Sequence, residues 1–326
     1  MKRDRVYFGL LLFVLVIVIV WSALAMLNAG KEEESYSVSV IVNDSNNDRW
    51  IAMREGLEQA TQDYNVELNY VSTGEISDID EEIALINREI ERGADGIIVQ
   101  MVDSDVDFGS LQAIDSKVAL MLLETDVTPE EVYTYVGPDN FAIGTSLAET
   151  IKNDFNNTLA GKKIGILAGN LDQISMQQRL EGLESAFLDT EAQISWTIYG
   201  QPAETATDII SKQRTSPVDI IVALGNSETE AAVDYLLTLE PEKRAGICLY
   251  GAGCSEKAVY YLDKGVIQTL VVPNEFNMGY QSMAAMAKQL EYRLSDVENQ
   301  SVTYLVVNRE NLYEEENQKI LFPIVQ

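Results

Sequence analysis

The sequence predicts an α/β protein of two similar doubly wound parallel-sheet lobes, preceded by one N-terminal transmembrane helix. Three observations predict it. Short β-branched runs alternate with helically spaced apolar residues from Ser37 almost to the end, the pattern of parallel strands with helices on both faces. More than ten strand candidates share ~290 residues, which is many for one sheet and suits two. An uncharged run from Val6 to Gly30 comes before them.

That run follows Lys2, Arg3 and Arg5, and its centre, Phe8 to Trp21, is almost wholly Leu, Val, Ile and Phe. A spanning helix needs ~20 apolar residues. The flanking basic residues place the N-terminus in the cytoplasm and the main domain outside the membrane. The competing reading is a secretory signal cleaved near Ala23-Leu24-Ala25, although signal cores are usually ~7–15 residues long. No cysteine stands near the end of the run, so a lipoprotein anchor is excluded. Residues 31–36 form a hydrophilic linker.

The first α/β unit begins with Val38, Val40 and Ile41, breaks into Asn43-Asp44-Ser45-Asn46-Asn47-Asp48, and resumes with Trp50, Met53, Leu57, Ala60 and Tyr64 at helical spacing. A polar loop between a strand's C-terminal end and a helix is where open α/β sheets bind ligands. Capping of the helix accounts for the same residues. Further units follow: strand Val66–Val71 and a helix marked by Ile79, Ile83, Ile86 and Ile90; then strands Ile97–Met101, Val118–Leu123 and Val132–Val136. The alternation runs on through strands at Ile164–Ala168, Ile194–Tyr199, Ile220–Leu224, Ile247–Tyr250 and Val266–Val272. A helix from Met278 to Leu294, a last strand Val302–Val307 and an acidic tail complete the chain.

The 326 residues carry 23 basic and 52 acidic side chains, a formal charge of −29, which argues against nucleic acid as partner. There is no histidine, so Ser-His-Asp and Cys-His catalysis and His-ligated metals are excluded. Cys248 and Cys254 are the two cysteines; a disulfide between them is disfavoured because Cys248 falls in a buried strand. Gly251-Ala252-Gly253 lacks the third glycine of a dinucleotide fingerprint and reads as a binding loop. Asp103, Asp105 and Asp107 lack the Gly and Glu of a calcium loop and read as solvated. No metal or cofactor is called.

Several runs carry a resemblance: Asn46-Asn47-Asp48-Arg49-Trp50-Ile51, Gly93-Ala94-Asp95-Gly96-Ile97-Ile98-Val99, Val136-Gly137-Pro138-Asp139-Asn140-Phe141-Ala142-Ile143-Gly144, Gln178-Arg179-Leu180-Glu181-Gly182 and Val307-Asn308-Arg309-Glu310-Asn311. In this order, over residues 37 to 313, the chain resembles the type I periplasmic (solute) binding proteins, nearest the ribose- and galactose-binding class. The resemblance implies two lobes joined by a hinge of three crossovers and closing on a ligand. It divides the chain into 37–138 plus 274–303 for the N-terminal lobe, and 139–273 plus 304–326 for the C-terminal lobe.

On that pattern Asn47 bonds a sugar hydroxyl, with Arg49 beside it, and Trp50 packs on the sugar ring. Ordinary core packing explains Trp50 equally. Glu124 takes the place of a sugar-gripping Asp. Thr125 and Gln177 stand where the family has arginines, and Arg179 follows Gln177 by two residues. Asn226 retains a polar contact, Tyr250 replaces another Asp, and Asn274 or Glu275 covers the last crossover. With three departures the ligand is expected to be a small neutral polar molecule of the sugar kind rather than ribose itself. The expected function is non-catalytic capture for an ABC importer or a membrane sensor histidine kinase. The alternatives are a carboxylate glycosidase using Glu124 and Glu275 and a degenerate ectodomain without ligand.

Overall fold

The computed structural model describes residues 13–22, 35–128, 133–200, 202–292 and 298–322. Residues up to Tyr36 form one compact unit and residues from Ser37 another. In the first, residues 13–22 are helical (α1) and exposed; the rest of the expected membrane span lies outside the described residues. Among the described residues no helix is long and apolar enough to cross a membrane.

The α/β fold opens with β1 (Tyr36–Ile41), a 3-10 turn at Asp48–Trp50, α2 (Ile51–Tyr64), β2 (Val66–Tyr70) and α3 (Ile79–Glu91). Next come β3 (Gly96–Val99), α4 (Phe108–Asp115), β4 (Ala119–Leu123) and β5 (Thr134–Pro138). The chain continues through α5 (Asn140–Asp154), β6 (Lys163–Gly169), α6 (Ile174–Phe187), β7 (Gln193–Tyr199) and α7 (Pro202–Thr215). Then follow β8 (Ile220–Ala223), α8 (Asn226–Leu237), α9 (Pro241–Arg244), β9 (Cys248–Ala252), α10 (Glu256–Asp263) and β10 (Ile267–Pro273). It ends with α11 (Glu275–Tyr292), β11 (Gln300–Val302), β12 (Tyr304–Asn308) and α12 (Glu315–Leu321).

These strands make two six-stranded sheets of the same order, β2-β1-β3-β4-β5-β11 and β7-β6-β8-β9-β10-β12. The central strands read as continuous apolar runs because helices cover both faces: Val38, Val40 and Ile98 belong to one core cluster, Ile41, Ile97 and Val99 to the other. β1, β3, β4, β5 and β11 run parallel in the first sheet and β7, β6, β8, β9 and β10 in the second, whereas β12 runs antiparallel to β10. The chain passes between the sheets at three places: after β5, after β10, and between β11 and β12.

Three expectations change. The last strand does not run unbroken from Val302 to Val307: it divides at Thr303, giving β11 to the first sheet and β12 to the second. Part of the acidic tail is helical, as α12, anchored by buried Asn317 and Leu321. The long helix starts at Glu275 rather than Met278, because Asn274 Oδ1 accepts from Asn277 N and opens the helix earlier. Both cysteines are free thiols.

Each lobe is fastened by one crossed helix pair with reciprocal glycines. A Cβ on Gly56 of α2 would lie 1.9 Å from Phe276 O of α11, and one on Gly279 would lie 2.0 Å from Met53 O. In the other lobe a Cβ on Gly144 of α5 would lie 1.9 Å from Arg179 O of α6, and one on Gly182 would lie 2.1 Å from Phe141 O. Only glycine lets backbones approach so closely.

Candidate functional site

The C-terminal ends of both sheets open on one cleft of about 910 Å³, lined by residues of both lobes and within the range of small-molecule sites. In both sheets the order reverses between the first and third strands of the lobe, the topological switch where such sheets bind ligands. The loop after β1 supplies Asn43, Asn47 and Arg49, the end of β3 supplies Gln100, and the end of β4 supplies Glu124. Opposite them, α6 supplies Arg179, the start of α8 supplies Asn226 and Glu228, and the loop after β9 supplies Cys254. Glu275, the first residue of α11, lines the cleft at the second crossover.

Glu124 sits at the centre. Its φ is +62°, in the left-handed region, and Thr125 N donates to Leu123 O at 2.7 Å across it, the i to i+2 bond of a tight γ-turn. Such strain is uncommon for a residue with a side chain and collects at functional sites. The turn presents the carboxylate to Arg49 Nη2, 2.7 Å from both oxygens, and to Gln100 Nε2 at 2.6 Å. Arg179 Nη2 reaches Glu124 Oε1 from the other lobe at 3.5 Å. Burial alone would raise the Glu124 pKa, but Arg49 and Arg179 overcome it and hold the carboxyl below its ordinary range. Burial would likewise lower Arg49, and Glu124 and Glu275 outweigh it, so its pKa rises.

Two further carboxylates behave differently. Burial pushes Glu275 up to about 7 against the pull of Arg49, and the Glu124 charge adds to the rise. Burial also raises Glu228, although its own backbone N–H and the two arginines act the other way. Cys254 is pushed up to about 12, first by burial and then by Glu275, so its thiol is inert.

Seven of the expected site residues line the cleft: Asn47, Arg49, Trp50, Glu124, Arg179, Asn226 and Glu275. Trp50 is 1 % exposed within the first-lobe core, donates Nε1–H to Asn43 O, and carries the Arg49 guanidinium 3.9 Å above its ring. The ring face expected to stack on a sugar is therefore covered by an arginine. Asn47 Oδ1 accepts from Arg49 N and caps the turn that aims this arginine.

Four expected residues do not line the cleft. Thr125 is buried between the lobes, where its Oγ1 accepts from Ser175 N at 3.3 Å. Gln177 is on the exposed side of α6 and donates to Leu171 O. Tyr250 faces the second-lobe core and donates to Asp154 Oδ2 at 2.7 Å. Asn274 is spent on opening α11. Of the residues the sequence reading passed over, Gln100, Glu228 and Cys254 matter most. Gln100 comes directly after β3, inside the strand expected over Ile97–Met101, Glu228 lies five residues past β8, and Cys254 directly follows the expected glycine loop; these places at strand ends are the signal that could have found them.

The lobes touch directly beside the cleft. Ser104 N donates to Asp172 O at 2.9 Å, Asn170 Nδ2 to Val102 O at 2.9 Å, Gln173 Nε2 to Met101 O at 2.7 Å, and Ile174 N to Ser104 Oγ at 2.9 Å. With Thr125 these bonds form a latch between the first lobe's loops after β3 and β4 and the loop and helix start after β6.

Residues 38–293 match the periplasmic binding protein domain family. No curated protein matches the chain in a sequence comparison. Among solved structures, the glucose-galactose binding protein GanP from Geobacillus stearothermophilus is similar at 21% identity, with a TM-score of 0.75 over 86% of this chain and 100% of that one. A carbohydrate transporter solute binding protein from Agrobacterium radiobacter, in complex with D-arabinose, superposes with a TM-score of 0.79 at 14% identity, over 89% and 100% of the two chains. The Caulobacter myo-inositol binding protein gives 0.76 at 17% identity, over 88% and 98%. With the family model spanning most of both lobes, the chain belongs to the periplasmic binding protein domain family.

Proposed function

We propose that this chain is a non-catalytic extracytoplasmic substrate-binding protein that captures a small sugar-class ligand between its lobes. Residues 1–30 tether it to the membrane, and its output passes to an ABC importer or a sensor kinase. The observation that carries the reading is Glu124. Arginines from both lobes converge on this strained residue at the C-terminal end of β4, the strand next to β3. A carboxylate held by donors from both lobes ties lobe position to the geometry of the cleft in which a ligand is captured. The solved structures of the same fold that bind glucose-galactose, D-arabinose and myo-inositol support the ligand class.

One observation favours a glycosidase: Glu275 is pushed up to about 7 while Glu124 is held low, the divergence expected of an acid and a nucleophile. Against it, both Glu124 oxygens are engaged by Arg49 and Gln100, which blunts a nucleophile. Calorimetry of the full chain with a monosaccharide and polyol panel tests the proposal. Saturable heat without product, together with a smaller radius of gyration by small-angle scattering, is the expected result. Product formation transfers the reading to the glycosidase, and silence across the panel rejects both.

A further inference from the structure

The cleft contains buried polar atoms that its own residues leave unsatisfied, and each of them is an acceptor. Gln100, Asn226 and Glu275 are 4, 7 and 7 % exposed and line the cavity. Gln100 Oε1, Asn226 Oδ1 and Glu275 Oε2 have no hydrogen-bond partner among the described residues. The amide nitrogens are committed to carboxylates, Gln100 Nε2 to Glu124 at 2.6 Å and Asn226 Nδ2 to Glu230 at 3.5 Å. That assignment leaves the two amide oxygens as acceptors. Buried acceptors without donors are costly, so the missing occupant is a molecule that donates at several points.

The charge balance narrows its class. Fully ionised, buried Glu124, Glu228 and Glu275 would outnumber the two guanidinium groups of Arg49 and Arg179 by one charge, so the third carboxylate lacks a cation within the cleft. Every other charged side chain among the described lining residues is a carboxylate, including Glu75 and Asp103 on one wall and Asp172 and Glu230 on the other. A hydroxyl satisfies an acceptor but leaves this excess in place, whereas a protonated amine answers both.

We propose that the cleft takes an amine-bearing sugar or amino polyol, with its ammonium against Glu275 and hydroxyls donating to Gln100 and Asn226. The inference rests on the reading of the cleft as a sugar site and names the members of that class it selects. The test is calorimetry of the full chain with matched pairs: glucosamine against glucose, galactosamine against galactose, and the N-acetylated forms as neutral amides. The free amine is expected to bind at least about ten-fold more tightly than its neutral partners, and Glu275→Gln to bring that ratio close to one. A neutral sugar that binds as well as its aminated partner overturns the inference and leaves the sugar site standing. Binding by no member of any pair overturns both. A full wild-type ratio retained in Glu275→Gln overturns the seat at Glu275. The wild-type ratio is decisive even if the variant folds poorly.

Discussion

The two crossover helices, α5 and α11, begin in the same way and end up doing different things. Before α5 the chain reads Val136-Gly137-Pro138-Asp139-Asn140-Phe141, with Gly144 three residues on; before α11 it reads Val271-Val272-Pro273-Asn274-Glu275-Phe276, with Gly279 three residues on. In each, a strand ends in proline, an Asp or Asn side chain caps the helix, the first helical residue is buried, and the glycine meets its partner helix. The partners match as well: α2 reads Met53-Arg54-Glu55-Gly56-Leu57 and α6 reads Arg179-Leu180-Glu181-Gly182-Leu183.

The difference lies in the first helical residue. Asn140 is fully engaged: its Nδ2 donates to Glu124 O and Tyr135 Oη, and its Oδ1 accepts from Arg179 Nε at 2.8 Å. Glu275 occupies the corresponding place and leaves Oε2 without a partner among the described residues. One crossover is thus a closed hydrogen-bond knot and the other presents an open acceptor. A repeated framework fixes positions, and the side chain placed there decides whether the position holds the hinge or meets a ligand.

The helix crossings should fail hardest. Gly56→Val and Gly182→Val each drive a side chain into a backbone carbonyl, and a loss of about 3 kcal/mol or more is expected in both lobes. Urea midpoints with unchanged slopes are the readout; a loss confined to one lobe breaks the equivalence of the two pairs.

The arginines come next. Arg179→Met removes bonds to Asn140 Oδ1 and Leu224 O as well as the Glu124 pairing, and is expected to cost about 3–5 kcal/mol. Arg49→Met should cost less, about 2–3 kcal/mol, because its side chain is 20% exposed and its partner Glu124 keeps Arg179 and Gln100. Equal losses in thermal or urea unfolding would contradict the greater burial and the additional bonds that set Arg179 apart from Arg49.

The smallest effects separate the two first-turn residues. Asn140→Ala strands a buried guanidinium N–H and should cost about 1–3 kcal/mol at any pH. Glu275→Gln should cost under about 1 kcal/mol in acid and change sign with pH. The folded-state pKa is raised from 4.5 to about 7, so the native chain holds a proton there that the unfolded chain has released. The wild type therefore loses stability as pH climbs from about 4.5 to about 7. The variant lacks that loss and becomes the more stable protein above neutrality. Glu82, buried on α3 and pushed up to about 8 by burial, adds its own slope to both proteins, so the difference between them is the quantity to measure. A difference constant across pH would mean that Glu275 is paired.

Sequence by itself determined the alternation of elements, because strands buried on both faces must be continuously apolar and helices must carry an apolar stripe. The resemblance carried in the sequence also brought Asn47, Glu124 and Asn226 to the cleft, and their places after parallel strands agree with it. Side-chain direction was a different matter. Tyr250 lies on β9, apolar on both sides, so alternation could not say that its ring turns into the core toward Asp154. Thr125 is adjacent to Glu124, yet the γ-turn sends one side chain into the cleft and the other into the latch with Ser175. The pairing of Arg179 with Asn140 spans 39 positions and that with Glu124 spans 55. No local pattern encodes such contacts; they exist only once the reciprocal glycines have set α5 against α6 and the crossovers have brought the second lobe onto the first.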